Sequence, residues 1–397
     1  MMKTRYMPLS FVTIGLLLYG TTWFRSGTFL QACSAEKSPL RMVSIALRLK
    51  GHVKRLGSTG RVGLIALSLL FGAGSAETLF AQDSFYQGKT IRIIVGLAAG
   101  GGYDVYARAI ARHMGKHIPG NPAIAVDNMT GAGSLVAANY LFKVAKPDGL
   151  IISHFIGGLF LHQLLGKPGI EFDAPKFEFI GTPMQDNFVL GVAKSTGVTD
   201  VEKWLASKQV VKFGGIASGT GSDDVPNILK ASIGLPLQLV SGYKGTSEIR
   251  LAFNSGEVSG VSISWESAKS TWRKEVESGE MVIVLQGNTK SHPELTKVPV
   301  SINFAKTDEA KKLMQIVLQA HGPTVRPFVL PPRTPKDRVQ ILRKAFIDTM
   351  KDPEFLGETK KANLDINPTD GATLEQNVQE IMKLEPTLVA KLKDILK

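Results

Sequence analysis

The chain has 397 residues, 44% hydrophobic and 20% charged, which is ordinary globular composition and enough material for two lobes. Its formal net charge of +13 suggests nucleic acid only until the charge is located: residues 1–81 hold ten Lys and Arg against two acids, leaving +5 for the rest. No basic stripe interleaved with aromatics follows, so nucleic acid is not an expected partner.

The first 81 residues read as an export leader. Arg48, Lys50, Lys54, Arg55 and Arg61 precede the apolar run 62–71, and Gly74-Ser75-Ala76 supplies small residues for cleavage. That run is too short to span a bilayer. Ala81 offers a second cut, although Leu79 is bulky for such a site. Upstream, residues 10–20 form another apolar run, and Leu30-Gln31-Ala32-Cys33 is similar to a lipoprotein cleavage box, with Gln31 a poor fit and Arg25 interrupting the approach. Translation is expected to begin near Met42, with cleavage near Ala76 or Ala81. Cys33 is the only cysteine, so the exported part folds without disulfides even in an oxidising compartment. No later apolar run has membrane length, and the mature product is expected to be soluble and periplasmic.

From Lys89 onward short β-branched runs alternate with helical stretches, the signature of an α/β architecture with largely parallel sheets. The run from Ile91 to Val95 ends in small residues and turns, after Asp104, into the alanine-rich helical pattern 105–112. The loop therefore presents free backbone N–H groups at a helix N-terminus, where the dipole adds about half a positive charge. Gly100, Gly101 and Gly102 carry no Cβ, so a ligand can approach the main chain closely. Such a loop is an anion trap. A dinucleotide fingerprint begun at Gly100 would need glycine at 105, where Val105 stands. Gly88-Lys89-Thr90 resembles the end of a phosphate loop, but Asp83 replaces its first glycine and the strand follows it instead of preceding it. Neither place is expected to bind a nucleotide, and no cofactor is expected.

A second strand at 123–126 leads to a helix over 135–144 that Ser134 is predicted to cap. Pro147-Asp148-Gly149 then turns the chain into a strand at 150–155. Segments 177–181 and 189–193 lead towards a second lobe; Asp200 is predicted to cap a helix ending near Ser207, and 210–213 returns as a strand. Residues 214–222 repeat the opening arrangement, a small-residue turn before a helix starting near Asp223. Two such helix starts, one per lobe, are expected to face each other and clamp one anionic group. Strands follow at 237–240, 258–263 and 281–285, with helices at 246–254 and 265–277. The proline-rich run 326–332 reads as an extended connector, and Pro335 is placed in the first turn of the next helix. Asp352-Pro353, Asn367-Pro368 and the segment 369–371 punctuate a helical C-terminal region.

With these residues placed, the chain resembles the substrate-binding proteins of tripartite tricarboxylate transporters, also called the Bug family. The family's opening pattern V-P-F-P-A-G-G-x-x-D is matched at Val95, Ala99, Gly100, Gly101 and Asp104, and N-x-x-G-A-G at Asn128, Gly131, Ala132 and Gly133. Pro147-Asp148-Gly149, the G-x-G-S loop Gly219-Thr220-Gly221-Ser222, Tyr243-Lys244-Gly245 and Gly256-Glu257-Val258 complete the ordered set. The resemblance covers the region from about Phe85 onward. It implies a two-lobed periplasmic binding protein of type II with its ligand cleft between the lobes, residues 82–186 plus 305–397 forming lobe 1 and 187–304 lobe 2. It further implies closure on a small carboxylate, or related solute, and delivery to membrane permease subunits; a monomer is expected. In that family main-chain groups and ordered waters hold the carboxylate, which points to Ala99, Gly100, Gly101 and Asp104 on one side and Ser218, Gly219, Thr220 and Gly221 on the other. Gly96 and Ala98 replace two family prolines, which leaves the first loop less stiffened. Ser259 and Val225 stand where the family more often has aspartate and histidine.

Several side chains have two roles open. Asp104 either contacts ligand or braces the loop, since an acid near a helix start is favourable by a few tenths to about 1 kcal/mol. Tyr103 either reaches the cleft or packs, and Tyr106 is read as packing. Ser264 and Trp265 follow a strand end at the expected cleft, where Trp265 can cover an apolar ligand body or serve as core. Tyr243 and Lys244 stand at another strand end. The expected contact set is therefore Ala98, Ala99, Gly100, Gly101, Gly102, Tyr103, Asp104, Ser218, Gly219, Thr220, Gly221, Tyr243, Ser264 and Trp265. His113 and His117 have a metal-compatible spacing, but the zinc-protease glutamate is missing, and no metal is expected. No serine lies in G-x-S-x-G, and no Cys/His cluster or paired acids emerge. A receptor without bond-making chemistry is the leading reading, against a secreted hydrolase or transferase on a similar scaffold, or a regulator's effector domain, which would lack an export leader.

Overall fold

A computed structural model describes residues 85–396. The expected leader, its expected cleavage positions and Cys33 lie outside the described residues.

The β-branched run becomes β1 (Thr90–Val95), with Ile91, Ile93, Ile94 and Val95 buried. Burial on both faces is what a run this continuously apolar requires. β1 pairs in parallel with β2 (Ala123–Asn128) and β3 (Ile151–His154). With β4 (Glu178–Thr182), β10 (Phe328–Leu330) and β11 (Thr369–Asp370) they form a six-stranded sheet of order β11-β4-β10-β3-β1-β2. The second sheet contains β5 (Phe188–Ala193), β6 (Val211–Gly215), β7 (Leu237–Ser241), β8 (Gly260–Ser264) and β9 (Met281–Gly287) in the order β7-β6-β8-β5-β9.

Helices α1 (Gly102–Met114), α2 (Leu135–Lys143) and α3 (Gly158–Leu164) follow the first three strands of the first sheet. The second sheet alternates with α4 (Val201–Ser207), α5 (Gly221–Ile233), α6 (Thr246–Ser255), α7 (Trp265–Thr271) and α8 (Arg273–Glu277). After it come α9 (Asp308–Ala320), α10 (Lys336–Thr349), α11 (Pro353–Lys361), α12 (Gly371–Ile381) and α13 (Pro386–Ile395). Among the described residues no helix is long and apolar enough to cross a membrane.

Among the described residues four strand pairings are parallel and five antiparallel, so the sheets are mixed where largely parallel ones were expected. β5, the first strand after the chain leaves the first sheet, is antiparallel to β8 and β9; β10, the first after its return, is antiparallel to β3 and β4. A strand delivered by a βαβ crossover must run parallel, whereas one arriving from the other sheet is free of that constraint.

Other sequence expectations are corrected by long-range contacts. Ser134 does not cap α2; its φ is +68° and its Oγ accepts the Ile156 N–H at 2.9 Å, tying the turn to the end of β3. The helix expected at 265–277 breaks at the fully buried Trp272, and Pro335 occupies the N-cap of α10, with no place in its first turn. Asp200 does cap α4, accepting from the Lys203 amide at 2.9 Å. Within 305–397, expected with the first lobe, α9 and α13 instead contribute Leu313, Met314, Val317 and Leu392 to the core built on Leu190, Val192 and Phe213 of the second sheet. Their apolar faces find cover there because α9 packs along α5.

Candidate functional site

β1 and β6 each lead through small residues into a thirteen-residue helix, α1 or α5. The first turns of both helices line one cavity. Amides at those turns have no acceptor within their own helix. Of the residues expected at the site, Ala98, Gly101, Gly102, Tyr103, Thr220, Gly221 and Ser264 line this cavity. Leu97, Ile156, Phe188, Ile216, Ile263 and Val325 make its remaining wall largely apolar.

The other expected residues have different partners. Asp104 is buried, and its Oδ2 accepts from the Gly100 amide and Arg108 Nε, both at 2.9 Å, while Oδ1 accepts from Asn128 Nδ2 at 3.0 Å. Burial opposes its charge, but Arg108, Gly100 and Asn128 together hold the carboxyl below the usual aspartate range. It braces the loop. Gly100 has φ +75°, and the Ala99 carbonyl accepts from Ser247 Oγ at 3.1 Å. The Gly219 amide donates to Asp224 Oδ1 at 2.9 Å, and Ser218 Oγ donates to the Leu396 carbonyl at 2.8 Å. Tyr243 Oη donates to Glu257 at 2.5 Å and Trp265 Nε1 to Glu294 at 2.6 Å, so neither side chain belongs to the cavity lining.

The second turn is braced in the same manner. Asp223 Oδ2 accepts from the Ile216 amide at 2.7 Å and from Thr220 Oγ1 and Ser222 Oγ, both at 2.9 Å. Behind it Asp224, fully buried, is bound by His162 Nε2 at 2.7 Å and His321 Nε2 at 2.9 Å. Each turn is thus shaped by an aspartate whose oxygens accept from the turn and from neighbouring side chains, Arg108 and Asn128 at Asp104 and Ser241 at Asp223.

Sequence reasoning missed Arg326, Asp186, Ser267, Gly245 and Thr246, all cavity-lining. Arg326 is 1% exposed, its Nε donating to Asp186 Oδ1 at 2.6 Å and its Nη2 to Ser264 Oγ at 3.0 Å and Ser267 Oγ at 2.6 Å. The guanidinium carbon lies 4.6 Å from the Tyr103 ring centroid and 5.1 Å from that of Tyr106. Burial opposes the guanidinium charge, but Asp186, Tyr103 and Tyr106 together outweigh it and keep Arg326 protonated. The one signal available was a lone arginine in the otherwise uncharged stretch 322–332 that had read as connector.

His113 and His117 face acids of α11 and its cap: His113 Nε2 lies 2.8 Å from Glu358, and His117 Nε2 2.9 Å from Asp352. Possible ligand atoms of His113, Asp352 and Glu354 lie within 4.8 Å of one another, but Lys116 Nζ already pairs with Asp352 at 2.8 Å and Glu354 at 2.6 Å. An ammonium thus occupies the place a cation would take.

Several known proteins are similar to this chain. A UPF0065 protein from the gbd 5' region of Cupriavidus necator is 24% identical over 339 residues, spanning 84% of this chain and 96% of that relative. The periplasmic binding protein BugD superposes with a TM-score of 0.63 at 19% identity, over 79% of this chain and all of its own. MatC from Rhodopseudomonas palustris, solved with bound malate, gives 0.61 at 18% identity, over 78% of this chain and 99% of its own. The fold is therefore that of two-lobed periplasmic binding proteins. A profile of the TctC family, described as tripartite tricarboxylate transporter family receptor, matches residues 106–395. The chain belongs to this family of periplasmic solute-binding receptors.

Proposed function

We propose that the protein captures a small carboxylate-bearing solute in the cavity between its two sheets and delivers it to the membrane permease of a tripartite transporter. The observation that carries this reading is the convergence of the α1 and α5 N-terminal turns on one cavity. Helix N-termini combine unpaired N–H donors with a positive dipole end, so they favour anions without a dedicated cation. The bound malate of MatC is consistent with such a ligand class.

Flytrap closure is supported by contacts between the two loop systems. The Ala98 amide donates to the Lys244 carbonyl at 3.1 Å and Ser247 Oγ to the Ala99 carbonyl at 3.1 Å. The lobes are joined by crossings near 183–187 and 321–327, which favours lobe limits close to 186/187. A receptor fits better than an enzyme, because the cavity serines have structural work. Ser222 holds Asp223, and Ser264 caps α7 while accepting from Arg326. Residues 1–81 fit an export leader, and the mature form is proposed to act as a periplasmic monomer.

A thermal-shift screen with short mono- and dicarboxylates, malate among them, tests the reading. A true ligand at a hundred times its Kd should add about 2.7 kcal/mol of stability. A flat response to every acid with a clear response to neutral solutes would overturn it.

A further inference from the structure

We propose that Arg326 is a direct side-chain partner of the solute's carboxylate and makes the cleft select acids over neutral isosteres. This rests on the reading of the cavity as a carboxylate site and extends it from main-chain donors to one named side chain.

A guanidinium carries five N–H donors. In Arg326 the Nε donor goes to Asp186, and Nη2 serves the hydroxyls of Ser264 and Ser267. Nη1 is buried and has no hydrogen-bond partner. Leaving such a group unpaired is costly, and more so when it is charged. A ligand oxygen at Nη1 removes that cost, so the unliganded closed form is destabilised relative to the liganded one.

The position of Nη1 matters as much as its lack of a partner. It lies 3.3 Å from where a Cβ on Gly102 would stand, beside the first residue of α1. The same Cβ would meet Ser267 Oγ at 2.1 Å, so glycine at 102 lets Arg326 and its serine support approach the helix start. One carboxylate can then accept from the leading amides of α1 and from Nη1 together, which suits the planar fork of arginine better than the point charge of lysine.

Rigidity completes the argument. The guanidinium is held by Asp186, by two serines and against the rings of Tyr103 and Tyr106, so little rotamer entropy remains to be lost on binding. It also sits at the junction of the two crossings, where the Asp186 amide donates to the Gly322 carbonyl at 3.3 Å.

The test is titration calorimetry on the mature protein and two variants, Arg326→Lys and the charge-balanced pair Arg326→Met with Asp186→Asn. Circular dichroism verifies their folding. The probes are malate and other short mono- and dicarboxylates, each paired with its primary amide. Wild type should prefer acid to amide, and both variants should lose about 10- to 100-fold in acid affinity while amide affinity changes little. An unchanged acid-to-amide ratio in either folded variant, or equal loss for acid and amide, would overturn the role of Arg326 while leaving the receptor reading intact. Wild type that binds neutral probes and no acid would instead overturn the carboxylate site itself, and this inference with it.

Discussion

Glu266 is 2% exposed, and both its oxygens accept from Asn187, Oε1 from Nδ2 at 2.6 Å and Oε2 from the amide at 3.1 Å. Burial, reinforced by the nearby Asp186 charge, pushes its carboxyl up to about 7 from the ordinary 4.5. Because the folded state holds this proton longer than the unfolded chain, the group's contribution to stability is greatest below pH 4.5 and declines as pH rises to about 7, then levels off. Glu266→Gln should remove that decline, so the variant gains on wild type in denaturant unfolding above pH 7 and the gap closes below 4.5. A gap independent of pH would contradict this account. His154 behaves oppositely: fully buried, it is pushed down to about 3 from 6.5 chiefly by desolvation. Its contribution is present above pH 6.5 and is lost as pH falls towards 3. Neither residue carries a pattern in the sequence that reveals burial; only their surroundings set these values.

At the scale of elements, the glycine turns were legible because their cause is local: a β-branched run, residues without Cβ, then a helical period. What each glycine admits was not legible. A Cβ on Gly221 would stand 2.0 Å from Cζ of Phe188, so the start of α5 packs directly on the first strand of the second sheet. Gly221→Ala should cost about 1–3 kcal/mol of overpacking strain in urea unfolding and weaken solute binding. A loss below about 0.5 kcal/mol would show that Phe188 moves aside freely. The Asp352 cap of α11 accepts from Glu354 and Phe355 amides at 2.9 and 3.1 Å, and Asp352→Ala should cost about 1 kcal/mol, read as a lower midpoint in thermal unfolding.

At the scale of the molecule, two sheets joined by two crossings can bend as a hinge, and this arrangement is held by polar contacts together with an apolar cluster that takes Leu97 and Tyr103 from the first lobe and Ile216, Ile249 and Trp265 from the second. Besides the Ala98 and Ser247 bonds, Lys269 on α7 reaches Asp365 at 2.7 Å. Partly exposed ion pairs of this kind contribute about 0–1 kcal/mol, too little to keep the cleft shut alone. Small-angle scattering should therefore find the unliganded protein more extended than this structure and contracted by a saturating solute. Superimposable profiles with and without a bound ligand would contradict hinge closure.

The sequence by itself determined the alternation of strands and helices, the cap at Asp200, the two glycine-rich turns and the family, since each depends on residues close together in the chain. About half of the expected contact residues line the cavity, six of them from the two turns and helix starts and the seventh, Ser264, from the end of β8. Only the tertiary structure decided the rest: the antiparallel entry of β5 and β10, the transfer of α9 and α13 to the second core, and the arrival of Arg326 beside Gly102. The reason is distance along the chain, for the Arg326–Asp186 bond joins residues 140 positions apart, and no local pattern specifies which buried cation meets which helix start.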